Sequence, residues 1–389
     1  DKKKNNYCLS KNIPLIRIPY YININLKEYE KMSNIKRLKY FVDGQWLESK
    51  TEKYMPVYNP STGEVIAETP CCTADEVEAA IASAKAAFPA WSNTPVMKRV
   101  QVLYKFRELL VEHMDELARL CALEHGKVLS EAKGDILKVK EPVEHALSAP
   151  SLTMGDAMRD TSNGYDTTLY YEPVGVFAGI VPFNFPGMIP MGWMVPCCIA
   201  CGNTIVLKLA SMTPMTAMKL NELLVEAGLP KGVVNLVTCS RVEADIFLKH
   251  PDVKGITFVG STKVGLHVYK EASATGKRVQ ALCEAKNHAL VLEDAALERS
   301  ARGIINSSFG CAGERCMALP VVVAQESIAD KLVALLKQYA SELKLGPAYE
   351  EGSTLGPVVT AEHKQSVINW INKGIEEGAT VVLDGRNPV

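Results

Sequence analysis

Apolar and polar positions change their period along the chain, and each change marks an element. Residues 39–67 hold the short runs YFVDGQW and YMPVYNPSTGEVIAE, which read as strands with NPSTG as a turn. From Thr73 the spacing turns helical: TADEVEAAIASAKAAFPAW offers an N-cap, then acidic residues in the first turn, then apolar positions one face apart. The helical period continues through MKRVQVLYKFRELLVEHMDELARLCALEHGK. After Val174 the runs VGVFAGIVP, TIVLKL, VVNLVT and GITFVG alternate with helical segments, the signature of a parallel sheet with crossover helices. A further pair, HALVLED and PVVVAQE, flanks AALERSARGIINSSFG and predicts a second α/β unit. Between the two halves DTSNGYDTTLYYEP carries an Asn-Gly turn and predicts a projecting hairpin suited to pairing with a neighbouring subunit. The apolar stretch MIPMGWMVPCCIA is too short for a bilayer and predicts a buried helix. The Lys-, Asn- and Ile-rich residues before Met32 have no stable period and predict an irregular extension.

Composition narrows the partner. At 389 residues the chain is long enough for two or three domains, each with its own core. With 43 Lys+Arg against 44 Asp+Glu, the net charge of -1 gives no reason to expect nucleic acid or a membrane as partner; a small molecule is the expectation. Eleven cysteines without a secretory signal point to free thiols in a reducing, cytoplasmic compartment.

Four stretches carry candidate chemistry. In SSFGCAGERCMALP, Cys311 and Cys316 stand five positions apart; Arg315 beside Cys316 would favour a thiolate, whereas the ordinary role of either cysteine is a small buried side chain. A metal clip lacks His or a second Cys pair at ligand spacing. In VPFNFPGMIP, Asn184 follows a strand and offers an amide N–H to an oxyanion, or else simply turns the chain before Pro186. In TIVLKLASMTP, Lys208 ends a strand, where open α/β sheets bind ligands. In FVGSTKVG, Gly260 and Gly265 bracket Ser261 at a strand-to-helix junction that can present N–H groups to a phosphate.

Taken in order, PFNFP, LKLASMTP, FVGSTKVG and GERCMA resemble the four motifs of the aldehyde dehydrogenase superfamily, from about Leu38 to the last residue. The resemblance implies an α/β fold with a Rossmann-like NAD-binding domain (36–153 and 174–282), an oligomerisation hairpin (154–173) and an incomplete catalytic domain (283–389), after an extension over 1–35. It implies Cys316 as nucleophile with Cys311 as packing, Asn184 as oxyanion donor, and Val181, Phe183, Lys208, Ser211, Ser261 and Cys283 around the cofactor. The wording APSLTMGD, PFNFPGMIP, AKNHALVL and GERCMALP is similar to the acylating branch, which oxidises methylmalonate or malonate semialdehyde and passes the acyl group to coenzyme A. Leu282 agrees with that branch. It stands four positions before Lys286, where hydrolytic members carry the Glu that activates water, and a leucine is no base. Glu284 lies close by but falls where the family has a glycine.

Three departures are visible. Of the two family arginines that hold the substrate carboxylate, Arg315 matches one, while Lys138 replaces the other and lacks a bidentate fork. Ser211 replaces the Glu on the adenosine ribose, so NAD is expected with NADP less excluded. The chain ends at LDGRNPV, before the family's nicotinamide-ribose Glu and its C-terminal oligomerisation strand. The family is commonly a tetramer of dimers, and the resemblance therefore implies an exposed sheet edge and altered assembly.

Overall fold

The computed structural model describes residues 35–387; all but the last residue of the extension anticipated over 1–35 lies outside them. Five short strands come first: β1 (Lys36–Arg37), β2 (Tyr40–Val42), β3 (Gln45–Leu47), β4 (Tyr54–Asn59) and β5 (Glu64–Pro70). β2 and β3 form a hairpin whose two-residue turn, Asp43-Gly44, has φ of 51° and 78°. Positive φ at both positions matches the twist of the flanking strands. β1, β5 and β4 make a separate three-stranded sheet, with PSTG closing the β4–β5 turn.

Helix α1 (Ala74–Ser92) starts at the expected cap. Thr73 Oγ1 accepts from the Glu76 amide and the Glu76 carboxylate accepts from the Thr73 amide at 2.8 Å, a reciprocal capping box. The buried Glu76 also accepts from Ser49 Oγ and the Lys50 amide, both at 2.7 Å, and so ties the β3–β4 connection to the start of the helix. α2 (Val96–Glu112), α3 (Met114–His125), α4 (Leu129–Ala146) and the single turn α5 (Ala149–Leu152) follow. α3 stops at Gly126, whose φ of 90° is the left-handed cap conformation. The predicted hairpin is present as β6 (Ala157–Ser162) and β7 (Tyr165–Thr168) around Asn163-Gly164, and every residue of both strands is exposed.

The remaining strands of the main sheet are β8 (Val176–Ile180), β9 (Thr204–Lys208), β10 (Val234–Val237), β11 (Val253–Val259) and β12 (Arg278–Leu282). They are joined by α6 (Val195–Ala200), α7 (Met215–Glu226), α8 (Arg241–Lys249) and α9 (Thr262–Ser273). The strand order is β12-β11-β8-β9-β10-β2-β3; the first five run parallel and the β2–β3 hairpin closes one edge antiparallel. Alternation along β9 shows why both faces are covered. Ile205 and Leu207 enter the core built with α2, α4 and α7, while Val206 enters the one built with α1, α8 and α9. From β8 the chain winds outward to β10, then returns to place β11 on the other side of β8. The direction of winding therefore reverses between β8 and β11, which opens a crevice at their carboxyl ends.

The apolar run 188–200 is helical and largely buried, as expected, but it begins as a π-helix over Met188–Met194 before becoming α6. Pro190 and Pro196 have no N–H to give, and the Val195 amide reaches back five residues to the Pro190 carbonyl. Gly192 lets this wide turn lie against α4, since a Cβ there would sit 3.0 Å from the Lys138 carbonyl oxygen. The second α/β unit is also present. β13 (His288–Val291) and β14 (Val321–Ala324) pair in parallel across α10 (Leu297–Phe309), and α11 (Glu326–Ser341) and α12 (Ala361–Glu376) follow. Val291, Ala301, Ile305 and Leu332 form part of its own small core. No helix among the described residues is long and apolar enough to cross a membrane.

Candidate active site

The sheet places the predicted residues at one end. Val181, Phe183 and Asn184 follow β8, Lys208 ends β9, Ser261 follows β11 and Cys283 follows β12, so all six lie at the carboxyl ends of neighbouring strands. What fixes the loop after β8 is a buried charge pair. Lys127, 1% exposed and just beyond the Gly126 cap, donates from Nζ to Asp135 Oδ2 at 2.9 Å and to the Asn184 carbonyl at 2.8 Å, and lies over the Phe185 ring. Asp135, on α4, accepts from the Met188 amide at 2.7 Å through its other oxygen. Burial disfavours the ammonium, but the Asp135 carboxylate outweighs that and raises the Lys127 pKa. The loop carrying Asn184 is thus held at both ends by one ion pair.

Asn184 reaches the second loop. Its Nδ2 donates to the Glu314 carbonyl at 2.7 Å, two residues before Cys316, while its buried Oδ1 has no partner among the described residues. Asn287 clamps the same loop from the far side, donating to the Cys316 carbonyl at 2.9 Å and the Ala318 carbonyl at 2.8 Å. Cys316 is half-buried with a free thiol. Cys311 is buried at φ 48°, and burial raises its pKa. The anticipated pairing of Arg315 with its neighbour Cys316 takes a different form. The guanidinium donates to Glu131 Oε1 at 2.8 Å and to Cys311 Sγ at 3.4 Å, because the turn at Cys311 and Ala312 folds Cys311 back beneath it. Glu131 also accepts from the Cys311 amide at 2.9 Å, which joins the Cys316 loop to α4. Lys138, two turns further along α4, is exposed and pairs with Glu141 at 2.6 Å, whereas Arg315 bonds to Glu131 and Cys311.

The cofactor side fits a dinucleotide in part. Lys208 is half-buried and forms no ion pair among the described residues; burial lowers its pKa, and an anionic or hydroxyl-rich ligand would complete it. Ser211, in the loop after β9, is half-buried beside it in sequence, and Val181 bonds back to the Lys208 carbonyl at 3.2 Å. Ser261 is the N-cap of α9, but its hydroxyl makes no capping bond, which leaves first-turn amides for a diphosphate. One of them, Thr262 N, lies 3.3 Å from Glu284 Oε2, and the Cys283 sulfur packs against Gly265. Phe183 gives its carbonyl to Thr213 Oγ1 at 2.9 Å, and its ring sits 6.1 Å from both His125 and His363.

The residues that sequence reasoning left unassigned are those that hold the others. Lys127, Asp135, Glu131, Asn287 and Glu314 each bridge loops far apart in the chain. Asn287 and Glu314 lie inside stretches already singled out, AKNHALVL and GERCMALP, and EHGK carries a helix-terminating glycine before a lysine.

Comparison with known proteins bears on the family and the fold. The aldehyde dehydrogenase family profile matches residues 46–389. Malonate-semialdehyde dehydrogenase 1 of Geobacillus thermodenitrificans (strain NG80-2) is 51% identical over 354 residues, covering 91% of this chain and 73% of that protein. The crystal structure of methylmalonate-semialdehyde dehydrogenase from Oceanimonas doudoroffii superposes with a TM-score of 0.89 at 42% identity, covering 91% of this chain and 72% of that one. A Sinorhizobium meliloti 1021 structure complexed with NAD gives a TM-score of 0.89 at 40% identity and the same coverage. With the sheet, the crevice and the paired loops in place, and with a profile that spans most of its length, the chain belongs to the aldehyde dehydrogenase family.

Proposed function

We propose that this chain carries the site of an NAD-dependent dehydrogenase that oxidises malonate or methylmalonate semialdehyde and transfers the acyl group to coenzyme A. The observation that carries the reading is the bond from Asn184 to the Glu314 carbonyl, which brings the oxyanion donor and the Cys316 loop together. The Cys316 thiolate attacks the aldehyde carbon. An amide group has two hydrogens and Asn184 has committed one, so the other, with the Cys316 backbone N–H, is free to receive the developing oxyanion. Val181, Phe183, Lys208 and Ser261 would hold NAD, which would supply the hydride acceptor, and loss of hydride from the Cys316 adduct would leave a thioester there. Leu282, 42% exposed, provides no base for water, and a thiol acceptor requires less activation. The substrate carboxylate leaves as carbon dioxide, so that methylmalonate semialdehyde yields propionyl-CoA and malonate semialdehyde acetyl-CoA. Arg315 keeps Nη1 free of protein partners among the described residues, which supports reading it as the cation that would hold that carboxylate; Lys138 would need to leave Glu141 to assist.

The hairpin β6–β7, exposed along its whole length, is the surface we assign to subunit pairing. The test of function is NADH formation from malonate semialdehyde with and without coenzyme A, and with NADP in place of NAD. Turnover that needs coenzyme A and yields acetyl-CoA is the expected result. Equal turnover without it would replace this reading with a hydrolytic dehydrogenase.

A further inference from the structure

The chain leaves α10 through a turn that a side chain resists. Cys311 and Ala312 stand at φ 48° and 53° and Gly313 follows at 82°, so three successive residues are left-handed and two of them carry a Cβ. Such a turn persists only where its surroundings hold it. The holder is Glu131, in the first turn of α4. A single oxygen, Oε1, takes both the Cys311 amide at 2.9 Å and Arg315 Nη2 at 2.8 Å. Arg315 is confined on its other sides as well: Nε donates to the Cys311 sulfur at 3.4 Å, and a Cβ on Gly310 would come within 2.3 Å of the guanidinium carbon. Arg315 and Glu131 are 27% and 15% exposed, and no other acid among the described residues lies within ion-pair distance of this guanidinium. α4 holds the second loop of the site in the same way. Asp135 stands four positions further along, hence on the same face, and fixes the Asn184 loop through Lys127 and the Met188 amide. Two acids one turn apart thus set the spacing between the two loops.

We propose that Glu131 is a positioning residue for substrate choice: by pinning Arg315 Nη2 and the turn beneath it, Glu131 fixes the outward Nη1 edge, so that the site prefers an aldehyde bearing a carboxylate to a neutral aldehyde of the same length. The inference rests on the reading of Arg315 as the substrate cation. A guanidinium whose fork is set before binding loses little freedom when a carboxylate arrives, whereas a loose one must first be ordered. A neutral aldehyde gives Arg315 nothing to bind, so its turnover is indifferent to how well that fork is held. Glu131 therefore acts on the choice between substrates rather than on the chemistry they share.

The test compares malonate semialdehyde with propanal in the unaltered protein, E131A and E131Q, with NAD and coenzyme A present. E131A should lower the preference for the acid, as a ratio of kcat/KM values, by about 10- to 100-fold, the worth of one hydrogen bond to a charged group, through the KM of malonate semialdehyde. E131Q should keep most of the preference, because its amide oxygen can still accept from both Cys311 and Arg315. Equal losses for the two aldehydes in E131A, an unchanged preference, or an E131Q that behaves as E131A would each overturn the inference. A second readout needs no turnover. Iodoacetamide labelling is followed by peptide mass, since cleavage after Arg315 puts Cys311 and Cys316 in different tryptic peptides. Malonate, as a carboxylate probe, should slow Cys316 labelling in the unaltered protein and in E131Q but not in E131A, where buried Cys311 should label faster than before. Malonate protection that survives in E131A, or that is missing from the unaltered protein, overturns the inference. If the unaltered protein oxidises neither aldehyde while malonate still protects Cys316 through Glu131, the dehydrogenase reading fails and the role of Glu131 stands.

Discussion

Asn184 has two amide hydrogens, and the fold uses one of them to tie the loop that carries Cys316. Removing it should therefore cost more than an oxyanion donor does alone. Asn184→Ala is expected to lower kcat by at least about 10²-fold, the usual effect of one lost oxyanion donor, with KM less affected. Cys316→Ser should abolish NADH formation and Cys311→Ser should largely preserve it, since Cys311 Sγ is buried against the Arg315 guanidinium; equal loss in both would contradict the assignment. Cys316, Asn184, Lys208 and Ser261 could be put forward from the sequence because the proposed chemistry demands particular residue types within short, ordered words. Lys127, Asp135 and Asn287 were not. Each acts through a contact between segments distant in the chain, as Lys127 does with Asn184, and one sequence without its fold gives no distance.

Among the elements, the start of α1 was readable because its cap is local, with Thr73 and Glu76 three positions apart. Thr73→Ala should destabilise the protein by about 1 kcal/mol in chemical denaturation, the usual cost of a lost N-cap. The loop after β8 depends on a different kind of support. Lys127→Met leaves Asp135 buried without its cation and should cost about 3–5 kcal/mol, with the melting temperature falling in step. The double variant Lys127→Met with Asp135→Leu should recover part of the loss, since an apolar pair carries no desolvation cost. Periodicity gave four of the five parallel strands, all but β12, and the Asn-Gly hairpin directly. It could not give the π-helical opening of 188–194, because a helix widened around Pro190 and Pro196 has the same apolar content as an ordinary one. Nor could it show that β2 closes the edge of the sheet beside β10, since one Phe41–Leu236 pairing carries no local signal.

For the whole molecule, the buried titratable groups set a pH dependence with a definite sign. The folded-state pKa of Glu314 lies above that of an unfolded glutamate, at about 7. Its contribution to stability is then fully present below about 4.5 and is lost as pH rises through about 7. E314Q does not titrate, so its stability relative to the unaltered protein should rise across that window, by up to about 3 kcal/mol if the whole shift is realised. His125, depressed by burial, gives the opposite slope. A stability difference independent of pH would show that Glu314 ionises freely in the folded state.

The antiparallel edge of the main sheet has a consequence for synthesis. Phe41 pairs with Leu236, roughly 200 residues later. At about 5–20 residues per second a ribosome needs on the order of 10–40 s to deliver that partner strand. For that interval the β2–β3 hairpin has emerged with its sheet-pairing edge bare, and a nascent-chain holdase that binds around Phe41 and Trp46 would be guarding a seam that waits for β10.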